Sequence, residues 1–194
     1  MSDSAGRGRP TDFRIQPITE PDDELAEILA GTLVRDGKPL NIFGVLGHHP
    51  DLLKRFNRFA GWILNRGVVP PREKEVVILR IGWNAQAIYE FGQHTIIGRD
   101  RGLSDREIWA LTQPVDAHPW SDKDRALIAL ADDLAADDCA SDETWQALSV
   151  DWDDDGLIEL VVTAGMYRLV SGFLNSTGVQ LDEGVPGWPD EPAD

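Results

Sequence analysis

Residues 68–102 read "VVPPREKEVVILRIGWNAQAIYEFGQHTIIGRDRG", and no other segment restricts the fold as much. Pro70 and Pro71 mark its start, because proline is tolerated in a first helical turn and not beyond it. Gly98 or Gly102 marks its end. The β-branched run "VVILRI" alone would suit a strand. The spacing of Val76, Leu79, Ile81 and Trp83, continued for many residues with no turn signal, predicts a helix instead. Gly82 weakens that helix and marks a bend or a break in it.

The rest of the chain follows the same helical rhythm. "PDDELAEILAG" opens on acids and closes on Gly31, as a helix should. "TLVRDGKPLNIFGVLGHH" is broken by Gly37, Pro39, Gly44 and Gly47, so it reads as loop or short helix. From Pro50 to Gly67, Leu52, Leu53, Phe56, Phe59, Ile63 and Leu64 form one apolar face. Ser104 and Glu107 have capping-box spacing. "SDKDRALIALADDLAADD" is amphipathic, "SDETWQALSV" reads as a short helix, and "DDGLIELVVTAGMYRLVSGFLNSTGV" as a long, mostly apolar, buried one. The expectation is an all-α, single-domain protomer: a flexible N-terminal leader over 1–20, a helical domain over 21–181 and an irregular acidic tail over 182–194.

Composition narrows the function classes. Hydrophobic residues make up 42% and charged ones 27%, a globular balance. No apolar run approaches the ~20 residues of a membrane span, and "MSDSAGRGRPTDF" has no secretory h-region, so no membrane partner is expected. The single cysteine, Cys139, allows neither an intrachain disulfide nor a CxxC pair and suits a reducing, cytoplasmic setting. A net charge of −16 repels phosphate backbones, so no nucleic-acid partner is expected. The acid-rich stretch 114–155 reads as solvated surface.

Within "AIYEFGQH", a helix puts Glu90 and His94 at i and i+4 on one face, with Tyr89 and Gln93 as a neighbouring pair. Glu75 reaches that face only if the chain bends or breaks near Gly82 to Asn84 and folds back. A carboxylate raises an imidazole pKa and burial lowers it, so such a pair can be poised near neutrality for acid–base work. The same spacing also serves a purely structural pair. His48 and His49 would ligate a metal only with further ligands close by; a loop or pocket-lining role is expected, and no metal. HExxH, GxGxxG, P-loop and GxSxG patterns are absent. Cys139 follows "AADD", an acidic setting that disfavours a thiolate.

The run "PPREKEVVILRIGWNAQAIYEFGQHTIIGRDRGLSDREI" resembles the core segment of the carboxymuconolactone decarboxylase family, which includes the alkylhydroperoxidase-D-like proteins. "PLNIFGVLGHHPDLLKRF" and "ELVVTAGMYRLVSGFLNSTGV" resemble longer members, so the likeness spans about residues 39–181. It implies an alkylhydroperoxidase-D-like helical protomer that assembles as a homo-oligomer, trimer or hexamer. Redox members carry E…C-x-x-C-x-x-x-H. Laid on this sequence the glutamate is Glu75 and the histidine His94, but the cysteine positions hold Ala87 and Glu90, which excludes thiol peroxidase chemistry by that route.

What remains resembles the decarboxylase side of the family, which implies a cofactor-independent lyase acting on a small carboxylated lactone or oxo acid. His94, Glu90, Glu75 and Tyr89 would supply the proton relay, Arg80 would pair with a substrate carboxylate, and Trp83, His48 and His49 would line the substrate site. The alternatives are a non-catalytic binding or assembly protein on the same scaffold, and a peroxidase activity that does not use CxxC, through Cys139 alone.

Overall fold

Prolines and polar caps start the helices close to where the sequence places them. The computed structural model describes residues 8–35 and 37–193. Among these the chain forms α1 (Asp23–Ala30), a hairpin of β1 (Val34–Arg35) and β2 (Lys38–Pro39), α2 (Asn41–Leu46), α3 (Pro50–Asn65), α4 (Pro71–Asn84), α5 (Ile88–Asp100), α6 (Asp105–Ala110), α7 (Asp122–Asp137), α8 (Asp142–Leu148) and α9 (Asp154–Thr177). The class is all-α; the antiparallel hairpin pairs only Val34 with Pro39 and Arg35 with Lys38. Asp22, Ser121, Ser141 and Asp153 each accept a first-turn N–H, and Ser104 and Glu107 cap reciprocally. Each such cap is worth ~1 kcal/mol.

α4 is the central helix. Val76, Val77, Ile78 and Leu79 occupy four successive positions, covering its whole circumference, and all four are fully buried. A helix surrounded on every side has no polar face, which is why this stretch mimics a strand in sequence. α5, α7 and α9 pack around it.

The break in the long segment falls just after the expected place. α4 runs through Gly82 and ends at Asn84; Gln86, at φ +51°, turns the chain back, and the Ala87 N–H bonds the Gly82 carbonyl at 2.9 Å. A Cβ at Gly82 would meet the backbone nitrogen of Phe91 at 3.4 Å, an ordinary contact, so α5 packs directly on α4 there without depending on the glycine. One patterned segment thus becomes a helical hairpin.

Three expectations change on this view. α9, which holds an 18-residue window of mean hydropathy 1.5, is long and apolar enough to cross a membrane by length and composition, against the reading that no run approaches that size. Here it is a core helix: Leu160, Ala164, Tyr167 and Leu174 are buried, while Ile158 and Leu169 face outward. Two acids of the 114–155 stretch are structural partners, the buried Asp124 holding Arg72 and the half-exposed Asp132 holding Arg80. Residues 1–7 of the expected leader lie outside the described residues. The part from residue 8 is irregular but tied down, with Arg14 N–H on the Thr177 carbonyl at 2.9 Å and Ile18 N–H on that of Gly44 at 3.0 Å.

The segment after α9 is irregular and straps α5. Trp188 meets Trp83 edge-on at 5.2 Å and Phe91 at 5.1 Å. A Cβ on Gly92 would lie 2.3 Å from the Pro186 carbonyl oxygen, so only glycine admits the strap there.

Candidate active site

The helical hairpin sets two carboxylates on either side of one imidazole. Within α5 the i,i+4 spacing brings Glu90 Oε1 to 3.0 Å from His94 Nε2. Folding α4 against α5 brings Glu75 Oε2 to 2.7 Å from His94 Nδ1. Arg101, just beyond α5, donates to Glu75 Oε1 at 2.9 Å and to the Leu64 carbonyl at 3.0 Å. Glu75 is 0% exposed, and His94 and Glu90 are each 4%.

This arrangement fixes the protonation of the ring. With an acceptor at each nitrogen, both nitrogens donate. Burial opposes the charge, but Glu75 and then Glu90 outweigh it and raise the His94 pKa from 6.5 to about 10. The expected poise near neutrality is therefore replaced by an imidazolium at pH 7. Two opposed carboxylates, rather than one, make the difference.

Glu90 and His94 open onto a cavity of about 250 Å³ between α2, α3, α5, α9 and the β1–β2 hairpin. Phe43, Phe56, Leu64, Ile97, Met166 and Val170 give it apolar walls. Tyr167 stands edge-on to His94 with ring centroids 4.9 Å apart. Its phenol stays protonated, because burial and then the charges of Glu90 and Glu75 raise its pKa.

The remaining expected site residues are dispersed. Tyr89 lines the cavity, but its hydroxyl donates to Asp182 Oδ2 at 2.5 Å and accepts the Ile42 N–H at 3.3 Å. Burial, and then the charge of Asp182, pushes its pKa far above the ordinary phenol value. Arg80 lies elsewhere: Nε and Nη2 bind Asp132 at 2.6 and 2.8 Å, and Nη1 donates to the Leu111 and Gln113 carbonyls. A guanidinium so committed fastens α4 to α7 and has no reach toward His94. Trp83 packs on Trp188, His48 Nε2 meets the Gln16 carbonyl at 2.9 Å, and His49 caps α3. None of the three lines the cavity. Cys139 is exposed in the α7–α8 loop. Among the described residues no three His, Cys, Asp or Glu side chains are grouped as a metal site requires.

Three residues of this neighbourhood escaped the sequence reading. Arg101 lies seven residues after His94, two helical turns on, a spacing that would have placed it on the same face. Asp182 carried no signal in a tail read as irregular. Arg35 sits in a Gly/Pro-broken loop, yet the hairpin carries it over the cavity, where Nη2 donates to Gln93 Oε1 at 3.3 Å.

Residues 50–133 match the carboxymuconolactone decarboxylase family. No curated protein matches the chain significantly. Among solved structures it resembles an uncharacterized peroxidase-related protein from Silicibacter sp. TM1040, with a TM-score of 0.79 at 12% identity over 92% of this chain and 96% of that one. It also resembles an alkylhydroperoxidase AhpD core, a peroxidase-related protein from Ralstonia eutropha JMP134, with a TM-score of 0.76 at 18% identity over 91% and 95%. The debrominase Bmp8 in complex with 2,3,4-tribromopyrrole gives a TM-score of 0.76 at 16% identity over 89% and 94%. At such identities the likeness is one of fold, and that fold is alkylhydroperoxidase-D-like.

Proposed function

We propose that this chain, whose residues 50–133 belong to the carboxymuconolactone decarboxylase family, is a cofactor-independent acid–base enzyme acting on a small carboxylated lactone or oxo acid. One observation carries the reading: the Glu75–His94–Glu90 line, with its ring charged, ends in an apolar cavity sized for a small molecule. Ligand pockets commonly span ~300–1,000 Å³, so about 250 Å³ suits a small substrate.

The charge state assigns the roles. An imidazolium cannot take up a proton, so His94 donates: its Nε2–H, given to Glu90 at rest, passes to the oxygen on which enolate charge develops when Glu90 takes up a proton. Glu90 is the base in the cavity, moving a proton to or from the carbon beside that oxygen. Glu75, pinned by Arg101, keeps the ring oriented and charged. Loss of carbon dioxide leaves an enolate that takes a proton on carbon, and migration of a double bond forms one by giving a proton up; the same donor and base serve either enolate. Halogenated pyrrole chemistry, as the debrominase's name indicates, is less consistent with a chain that carries Glu90 and Ala87 where redox relatives carry cysteines.

The test is hydrogen–deuterium exchange at the carbon beside the carbonyl, followed by NMR over a panel of small oxo acids and unsaturated lactone acids. At least one should exchange with the native protein, and exchange should vanish in His94→Ala with its helical circular dichroism retained. Undiminished exchange in that variant would refute the assignment.

A second reading, assembly, has its own support. Trp62, Val68, Ile158 and Val162 are exposed around a shallow apolar hollow. We expect that face to bury against another copy of the chain. Light scattering that reports a monomer would count against it.

A further inference from the structure

Among the described residues, Arg35 is the cation in the cavity wall without a counter-charge. Arg72, Arg80 and Arg101 each pair with a carboxylate. Among the described residues Arg35 has no such partner: Nη2 reaches only the neutral Gln93 amide, and Nη1 is buried with no hydrogen-bond partner. Burying a guanidinium nitrogen unpaired is costly, and an anionic acceptor removes that cost.

The Gln93 amide is itself oriented. Asp182 Oδ2 accepts from Gln93 Nε2 at 2.6 Å, and Asp182 Oδ1 is fixed by the Asn41 N–H at 2.9 Å. A carboxylate can only accept, so the amide must turn its NH₂ toward Asp182 and its oxygen toward Arg35. The strap after α9 therefore aims the guanidinium.

We propose that Arg35 is the carboxylate anchor of this cavity, with Gln93 and Asp182 as its positioning residues, and that the ligand class is a small monocarboxylate with an apolar body. The inference rests on the acid–base reading for which carbon reacts, but not for what binds. Gln93 follows Glu90 by three residues, so their side chains leave α5 about 5–6 Å apart. A carboxylate on Arg35 thus holds carbons only a few bonds away next to Glu90 and the His94 N–H. Their apolar continuation faces Phe43, Met166 and Val170.

The test uses benzoate and its neutral isostere benzamide, with binding to the full chain measured by isothermal titration calorimetry. The native protein should prefer benzoate by about tenfold or more, as a charge-assisted pair requires. Arg35→Met should erase the preference while retaining benzamide binding, which also shows that the cavity is intact. Asp182→Asn should weaken benzoate several-fold and leave benzamide unchanged. Equal affinity of the native protein for the two probes, or a preference that survives in Arg35→Met, overturns the proposal. Neither probe presents a reacting carbon, so this result stands apart from the exchange experiment on His94.

Discussion

Lys74 and Glu75 are neighbours on α4, both are buried charges, and they do different things. Lys74, 1% exposed, sends its ammonium to the carbonyls of Ile63 and Arg66 and to Glu159 Oε1 at 2.7 Å. Two of its N–H groups go to carbonyls and its charge is paired with Glu159, so the ammonium is spent on holding the fold. Glu159 in turn accepts the Val68 N–H at 2.6 Å. This cluster fastens the α3–α4 turn to α9. One residue further on, about 100° round the helix, Glu75 faces His94 and, through it, Glu90 and the cavity. Burial and ion pairing are common to both clusters; what separates a site from a fastening is that Glu90 and His94 open onto a cavity walled by several helices, whereas Glu159 borders only a shallow surface hollow.

If that distinction holds, the two clusters respond oppositely to substitution. The largest effect is expected at Glu90→Gln, which removes the base and should lower exchange or turnover ~10²–10⁴-fold. Its melting transition should move less than that of the lysine variant. Lys74→Met, which strands the Glu159 charge in the interior, should cost ~3–5 kcal/mol of unfolding free energy in urea titration. The molecules that remain folded should turn over normally, and a selective loss of activity would break the comparison. Gly67→Ala comes next. Gly67 lies at φ +88°, and an added Cβ would sit 2.2 Å from Glu159 Oε2, so ~1–3 kcal/mol of stability should be lost with activity retained.

The pH dependence sharpens the same contrast. His94 is raised in the fold, so its contribution to stability is complete below its unfolded pKa of 6.5 and is lost as pH rises toward about 10. Urea titrations between these limits should show a falling stability. In Glu75→Gln the fall should still begin near 6.5 but end at lower pH and be smaller, since one of the two carboxylates that hold the proton is gone. The smallest effect belongs to Cys139→Ser. An exposed thiol away from the cavity should change stability by less than ~0.5 kcal/mol and leave turnover and peroxide consumption as they were.

Local chemistry made the fold readable. Pro71, Ser104 with Glu107, and the apolar spacing along α3 and α7 each act within a turn or two, and each element stands close to its expected place. Glu90 and His94 were readable for the same reason. Glu75 was readable on one condition, that the chain breaks, and Gln86 supplies the break. Arg80 shows the limit. Five residues after Glu75 it lies about 140° round the helix, too far to share a face, and the acid that claims it, Asp132, belongs to a stretch read as solvent-exposed. Arg35 and Asp182 depend on a hairpin and a strap folding over α5 from far along the chain, and no spacing rule reaches across that separation.

The charge on His94 is the claim from which the roles of Glu75, Glu90 and the cavity descend, and ¹⁵N NMR of the histidine ring measures it directly. At pH 7.5 both ring nitrogens should appear protonated, with deprotonation only as pH approaches about 10. A neutral single-tautomer ring at that pH, titrating near 6.5 or below, would contradict the account.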